Sequence, residues 1–203
     1  MDVIARAGRG MTRGQEFRTV VDGAWSADPA HRMRWEMSLA FVAASEAISL
    51  PVQAGLDIGD RTPMTAMLEA HFGCRFDTTS VDLDTEPLNV ATRYPVVTAF
   101  EVIEHLYNPL HLLLQIRAAL DPAPSSRLFL STPARKPGFL QSPDHFHEMP
   151  RRSLEALLSR SGFEVVRCAE FGIRSPLFCL RGVRPLLRCI FEKIRIYELA
   201  ARR

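Results

Sequence analysis

The chain has 203 residues, enough for one globular domain with a real core and too few for two comfortable ones. Hydrophobic residues at 47% and charged residues at 24% exclude a disordered chain, and a net charge of +2 supplies no general attraction for polyanions. The charge is uneven: residues 181–203 carry seven basic and two acidic side chains, whereas residues 51–180 carry twelve and fifteen.

Residues 1–30 are rich in Gly, Arg and Asp and read as a loose arm. They contain no apolar stretch of the kind a secretory leader needs. The best apolar run, Ser38–Leu50, is broken by Glu46 and is shorter than the ~20 residues that span a bilayer, so a cytoplasmic protein is expected. Cys74, Cys168, Cys179 and Cys189 have no CxxC spacing and sit among apolar residues, which predicts buried reduced thiols rather than a disulfide or zinc framework.

A first helix is predicted over 31–49, with Met33, Met37, Ala40, Phe41, Ala44 and Ile48 on one face and Pro51 beyond its end. Trp25 and Trp35 could form a lid or simply pack. A short apolar strand, 54–58, closes on Gly59, and a helix follows over 62–71 with Pro63 in its first turn and Gly73 as its stop. Further strands are expected at 75–83, 96–100, 127–131 and 163–167. Helices are expected at 102–120, with a wrinkle at Asn108-Pro109, and at 153–161, with Gly162 at its end. The tail, 181–203, reads as a basic amphipathic helix suited to a protein partner or an anionic membrane, or to docking on its own domain.

Alternating strands and helices with short, fully apolar strands predict an α/β Rossmann-like fold with a mostly parallel sheet and helices on both faces. The domain proper is expected over 51–180, preceded by the arm and helix of 1–50 and followed by the basic tail of 181–203. In such a sheet a ligand binds beyond the carboxyl ends of the strands, where the strand order reverses. That directs attention to Asp57-Ile58-Gly59-Asp60-Arg61 after the first strand. It also picks out Asp82 and Leu83 after the second, where a carboxylate is well set to receive ribose hydroxyls.

The segment Val97-Thr98-Ala99-Phe100-Glu101-Val102-Ile103-Glu104-His105-Leu106, followed by Asn108-Pro109, resembles the post-strand motif of class I S-adenosylmethionine-dependent methyltransferases. The similarity is greatest to the small-molecule branch that contains the ubiquinone-biosynthesis O-methyltransferases. Arg127–Pro133, His145–Met149 and Ser161–Val166 are similar to later parts of that family, in the same order. The resemblance implies S-adenosylmethionine as cofactor and a small-molecule acceptor, most often an oxygen. It implies contact with the methionine part of the cofactor at Asp57 and Gly59, with the ribose at Asp82, and near the sulfonium at Phe100 and Glu101. Asp60, Arg61 and Leu83 fall within the same cofactor-binding segments.

Two departures stand out. Arg61 and Pro63 occupy positions where the family's loop carries further glycines, and Arg61 could instead pair with the cofactor carboxylate. Only eleven residues separate Asp84 from Val96, so the crossover between the second and third strands is trimmed. These departures keep a competing expectation alive, a degenerate domain acting as a non-catalytic scaffold.

If a helix starts near Phe100, then Glu101, Glu104 and His105 share a face. They could contact substrate, with His105 as a general base, could hold a divalent metal, or could be an ordinary acidic helix start. The catalytic expectation rests on His105 and on His147, which lies in the loop with His145 and Glu148; no metal ligand is assigned. A nucleic-acid substrate is disfavoured because no polar-Pro-Pro-aromatic stretch follows the strand and no aromatic-rich basic groove is present. A nicotinamide dehydrogenase is disfavoured by the missing GxGxxG.

Overall fold

The computed structural model describes residues 29–90, 92–174 and 176–202. The expected arm, with Trp25, falls outside them up to residue 28. Helix α1 (Pro29–Ala43) is followed by β1 (Gly55–Asp57), α2 (Pro63–Phe72), β2 (Phe76–Thr78) and β3 (Val96–Phe100). Then come α3 (Pro109–Ala119), β4 (Arg127–Pro133), α4 (Arg151–Arg160), β5 (Phe163–Gly172), the single turn α5 (Pro176–Cys179), α6 (Val183–Phe191) and β6 (Lys193–Ala201).

The strands form one sheet in the order β2-β1-β3-β4-β6-β5. β2, β1, β3 and β4 run parallel, and β6 pairs antiparallel with both β4 and β5. The sheet is therefore mostly parallel, as the apolar strands predict. The chain leaves β1 on one side to form β2 and returns on the other side as β3. The reversal point is the crevice between the carboxyl ends of β1 and β3.

Alternation along the strands divides the core. Val97, Ala99, Leu128 and Leu130 face α3 and α4 through Leu112, Leu113, Ile116, Leu154 and Leu158. Val96 and Phe129 face the other way, onto Met64, Leu68 and Phe72 of α2 and Val42 of α1. Helices thus cover both faces. Trp35 packs in this second cluster, as core rather than lid. α1 docks through Trp35, Leu39 and Val42, not through Met33 and Met37; Met37 is exposed.

Three expectations need correction. The strand expected at 75–83 is only Phe76–Thr78, because Thr79 turns inward to bond with Gly59. The helix expected at 102–120 is a 3₁₀ turn, Ile103–His105, followed by α3, because Glu101 takes a left-handed φ of 56° that no helix start can share. The tail is not one basic helix. Its first part is α6, but Lys193–Ala201 is an inner strand of the sheet, with Ile194, Ile196, Tyr197 and Leu199 buried, so the domain does not end at residue 180.

The cysteine reading also changes. Cys179 and Cys189 form a disulfide across α5 and α6 with a Cα–Cα distance of 5.9 Å, since the turn between two short helices folds positions ten apart together. Cys74 and Cys168 remain thiols, and burial raises the pKa of both. Residues 79–95 carry the chain from β2 to β3 with no helix among the described residues, which agrees with the trimmed crossover. No helix among the described residues is long and apolar enough to cross a membrane.

Candidate active site

Asp57 ends β1 beneath the crevice and is buried. Its two carboxylate oxygens accept hydrogen bonds from the hydroxyls of Thr65 and Thr98, both at 2.6 Å. Burial pushes its pKa up from 3.8 to about 6, against the pull of these hydroxyls and of Arg61. Thr65 in turn accepts from the Thr62 N–H at 3.0 Å, so the acid is tied to the first turn of α2.

Gly59 turns the chain at φ 111°, with its N–H on the Thr79 hydroxyl at 2.8 Å and its carbonyl accepting from the Thr79 N–H at 3.1 Å. A Cβ built on Gly59 would meet nothing within 4 Å. The backbone there opens onto free space while its own polar groups are satisfied, which suits the close approach of a ligand. Asp60 is exposed at the tip of the turn. Arg61 does not point into this space: its guanidinium pairs bidentately with Glu69 of α2, so the pairing expected with a cofactor carboxylate has a competitor within the chain.

Asp82 lies beyond β2 in an Asx turn. Its carboxylate accepts from the Asp84 N–H at 3.0 Å and the Thr85 hydroxyl at 2.8 Å. Two local bonds leave an ionised carboxylate with unused lone pairs, so ribose hydroxyls could still be received. Leu83 is half-buried against the α3 side of the core. Asp84, a residue that sequence reasoning passed over, accepts from the N–H groups of Tyr107 and Asn108 at 3.1 and 2.8 Å and pins this loop to the start of α3. A cavity of about 480 Å³ lies against β2, lined by Arg75, Asp77, Thr78, Thr79, Asn89 and Tyr94 among others. It adjoins the Gly59 turn through Arg61 and Thr79 but does not include Asp57 or Asp82.

Phe100 ends β3 half-buried beside α1. Glu101 is held from three sides. Its N–H donates to the Ser131 carbonyl at 3.0 Å, and its carboxylate accepts from the Ser131 hydroxyl and from Arg34 of α1, each at 2.8 Å. A non-glycine residue in the left-handed region costs on the order of 1 kcal/mol and persists where its surroundings fix it, commonly at functional sites. Here the turn steers the chain off β3 so that Glu104 points inward and His105 toward the loop of residues 134–150. Arg34 and Ser131 thus hold one oxygen each of the Glu101 carboxylate and fix its orientation at the strand end.

Glu104 is fully buried, and neither side-chain oxygen has a hydrogen-bond partner among the described residues. Burial first, and the nearby Glu101 charge second, raise its pKa well above the usual range. His105 has Nδ1 at 2.9 Å from the Asp144 carbonyl. A carbonyl only accepts, so Nδ1 carries the proton and Nε2 keeps its lone pair. Burial lowers the His105 pKa, which favours the neutral ring.

His145 lies edge-on to His105 with ring centroids 4.8 Å apart, and its Nδ1 is 2.8 Å from the Glu148 carboxylate, which also pairs with Lys136 at 3.0 Å. Glu104, His105 and His145 each present one possible ligand atom within 4.8 Å of the others. His147 is set apart. Its N–H donates to the Glu104 carbonyl at 3.2 Å, and its Nε2 lies 3.4 Å from the Tyr107 carbonyl. Of the two histidines expected to be catalytic, His105 thus sits in a cluster, with His145 rather than His147 beside it. No periodicity in a loop signals that pairing.

A profile of the methyltransferase-domain family matches residues 52–167, from just before β1 into β5. No curated protein is significantly similar in sequence. Among solved structures, the fold is similar to that of N-methyltransferase NodS from Bradyrhizobium japonicum WM9 in complex with S-adenosyl-L-homocysteine, with TM-score 0.58 and 13% identity over 92% of this chain and 95% of that one. It is similar to Burkholderia thailandensis 1,6-didemethyltoxoflavin-N1-methyltransferase, bound to 1,6-didemethyltoxoflavin and S-adenosylhomocysteine, with TM-score 0.54 and 14% identity over 89% and 82%. The [4+2]-cyclase SpnF is also similar, with TM-score 0.56 and 14% identity over 83% and 80%, so this fold hosts more than one reaction.

Proposed function

Because the chain belongs to the class I S-adenosylmethionine-dependent methyltransferase family, matched over 52–167, we propose that its crevice moves a methyl group to a hydroxyl oxygen of a small molecule, with His105 accepting the proton. One observation carries the reading: His105 Nδ1 lies 2.9 Å from the Asp144 carbonyl, which spends the Nδ1 proton there and leaves Nε2 as the nitrogen that can accept. The methyl group arrives already activated on a sulfonium, so the protein's tasks are to orient the reactants and to take one proton.

Asp57 and the open turn at Gly59 fit the methionine arm. The buried carboxylate lacks a cationic partner in contact and would gain one in the arm's ammonium. Asp82 would receive the ribose hydroxyls, Leu83 and Phe100 would flank the nucleoside, and Asp60 and Arg61 would border the carboxylate end, with Arg61 free to help only by leaving Glu69. Glu101 would act by holding the turn that presents His105. His147 would anchor the loop to the Glu104 backbone. Calorimetric titration with S-adenosylhomocysteine, followed by a methyl-transfer screen over phenolic, alcoholic and amine acceptors, tests the proposal. Absence of binding up to millimolar ligand, or transfer confined to amines, refutes it.

Asp57→Asn separates binding from folding. Loss of a charge-assisted bond predicts S-adenosylhomocysteine affinity about 10- to 100-fold lower by calorimetry. Stability should move the other way. The folded pKa near 6 lies above the unfolded 3.8, so Asp57 favours the folded state at low pH, and that contribution is lost as pH rises through about 6. Denaturant melts without ligand should show the gap between Asp57→Asn and the parent growing in the variant's favour from pH 5 to pH 7.5, by about 1.4 kcal/mol. A constant gap would contradict the buried-acid account.

A second reading is favoured by the partnerless buried carboxylate of Glu104. Glu104, His105 and His145 would hold a divalent cation, which would make an acceptor hydroxyl more acidic. Chelator-treated protein should then melt about 5 °C higher with Mn²⁺ at a hundredfold excess over its Kd. An unchanged melt leaves His105 as the base.

A further inference from the structure

The connection from β5 to β6 has a surface unlike the rest of the chain. Leu177, Leu180 and Val183 are 73%, 82% and 75% exposed, and Leu186, Ile190 and Phe191 are exposed as well. Val183, Leu186 and Ile190 recur at three- and four-residue steps and share one face of α6, and no residue of that helix is fully buried. The hairpin is held by its own contacts: the Cys179–Cys189 disulfide, and Arg174 and Arg188 both paired to Glu192 at its base. It is a braced structure with its apolar side turned outward.

Its charge says what covers that side. From Phe171 to Phe191 the sequence has four arginines and no acidic residue. Arg181 and Arg184 pair with no carboxylate among the described residues, and Arg184 follows Val183 at the edge of the apolar face. A second copy of the chain would bring arginine against arginine. An anionic lipid surface offers acyl chains to the leucines and phosphates to the arginines together.

Position adds a further reason. Gly172 pairs with Lys193 and Pro133 with Ile194, so the hairpin leaves the sheet at the carboxyl end of β4. β3 ends at the same edge, with Phe100 opposite Ser131. The hairpin and the crevice therefore open at one end of the molecule. The family profile stops at residue 167, before the hairpin begins.

We propose that the α5–α6 hairpin docks the protein on anionic membranes, with Leu177, Leu180, Val183, Leu186 and Ile190 entering the headgroup–acyl boundary and Arg181 and Arg184 meeting lipid phosphates. This does not depend on the methyl-transfer reading, and the measurement below involves no cofactor.

The full chain, without reductant, is sedimented with sucrose-loaded vesicles of phosphatidylcholine alone or with about a third phosphatidylglycerol, in about 0.1 M salt. Binding should require phosphatidylglycerol and fade at about 1 M salt, where charges are screened within about 3 Å. Arg181→Glu and Arg184→Glu should each weaken it about fivefold or more. Leu180→Asp with Val183→Asp should abolish it at an unchanged melting temperature, since both side chains are exposed. The proposal is overturned if the parent chain does not sediment with phosphatidylglycerol vesicles, if plain phosphatidylcholine serves equally, or if the variants bind like the parent. It is overturned too if the chain self-associates without lipid and the double aspartate variant makes it monomeric, because a second copy then covers the face.

Discussion

His105→Ala is expected to slow methyl transfer about 10²- to 10⁴-fold on whichever acceptor the screen returns, with S-adenosylhomocysteine affinity unchanged. The split follows from geometry. His105 lies on the 3₁₀ turn beyond β3, where its Nδ1–H is spent on the Asp144 carbonyl and its remaining nitrogen can only accept. Removing the ring takes away the proposed proton acceptor but leaves the Asp57 and Gly59 end of the crevice intact. His147→Ala is the matched control, since that ring faces the Tyr107 carbonyl and should leave most of the rate. Single-turnover rates at saturating acceptor make the comparison. Equal losses in the two variants would mean that the loop as a whole matters and that His105 is no base.

Glu198→Ala is expected to lower the melting temperature by roughly 6–20 °C, from a cost of about 3–5 kcal/mol. Glu198 sits on β6 at 1% exposure and accepts from Ser45 at 2.7 Å, Arg127 at 3.1 Å and Arg167 at 2.5 Å. One carboxylate thus joins the end of α1, β4 and β5 across the inner strand. Truncating it takes the carboxylate from Arg127 and Arg167 and leaves them backbone carbonyls as their hydrogen-bond partners, which costs more than the pairing itself contributes. Replacing Glu198, Arg127 and Arg167 together with methionine should recover most of the loss. A triple variant as unstable as the single would show that the damage lies in packing rather than in the stranded charges. Differential scanning fluorimetry at pH 7 is sufficient for both.

Local chemistry made the first half of the fold legible. Pro95 and Glu101 bracket five residues that can only be a buried strand, and Val96–Phe100 is one. Pro63 and Gly73 mark the ends of α2 because each fits a terminus and not an interior, and Gly73 takes the left-handed cap at φ 68°. β6 was illegible for a definite reason. Ile190, Ile194 and Tyr197 match a helical step, while Ile194, Ile196 and Glu198 match a strand step, and the arginines between them suit an exposed helix. Only the slot between β4 and β5 decides, and no sequence window contains it.

The candidate site was legible where it sits on regular structure and hidden where it sits in loops. Asp57 ends β1, and Gly59 and His105 lie in the turns that follow β1 and β3, the two strands whose carboxyl ends flank the crevice. Thr65 and Thr98, which satisfy Asp57, are ordinary residues until the distances are known. His145 meets His105 through a loop with no period to read. Arg61 was visible as an anomaly, but its partner Glu69 lies eight residues on, in the second turn of α2, where nothing in the sequence marks it as the pairing carboxylate.

The inner place of β6 bears on how the molecule is made. β5 has a neighbour on one side only, β6, and β4 meets β6 across more than sixty residues of chain. On the ribosome, therefore, β2, β1, β3 and β4 can assemble while β5 waits as an unpaired ribbon, and the sheet closes only after residue 201 has left the exit tunnel. A pause in translation before that point would leave β4 as an open edge with β5 unpaired, the form in which this chain is most exposed to chaperones and to aggregation.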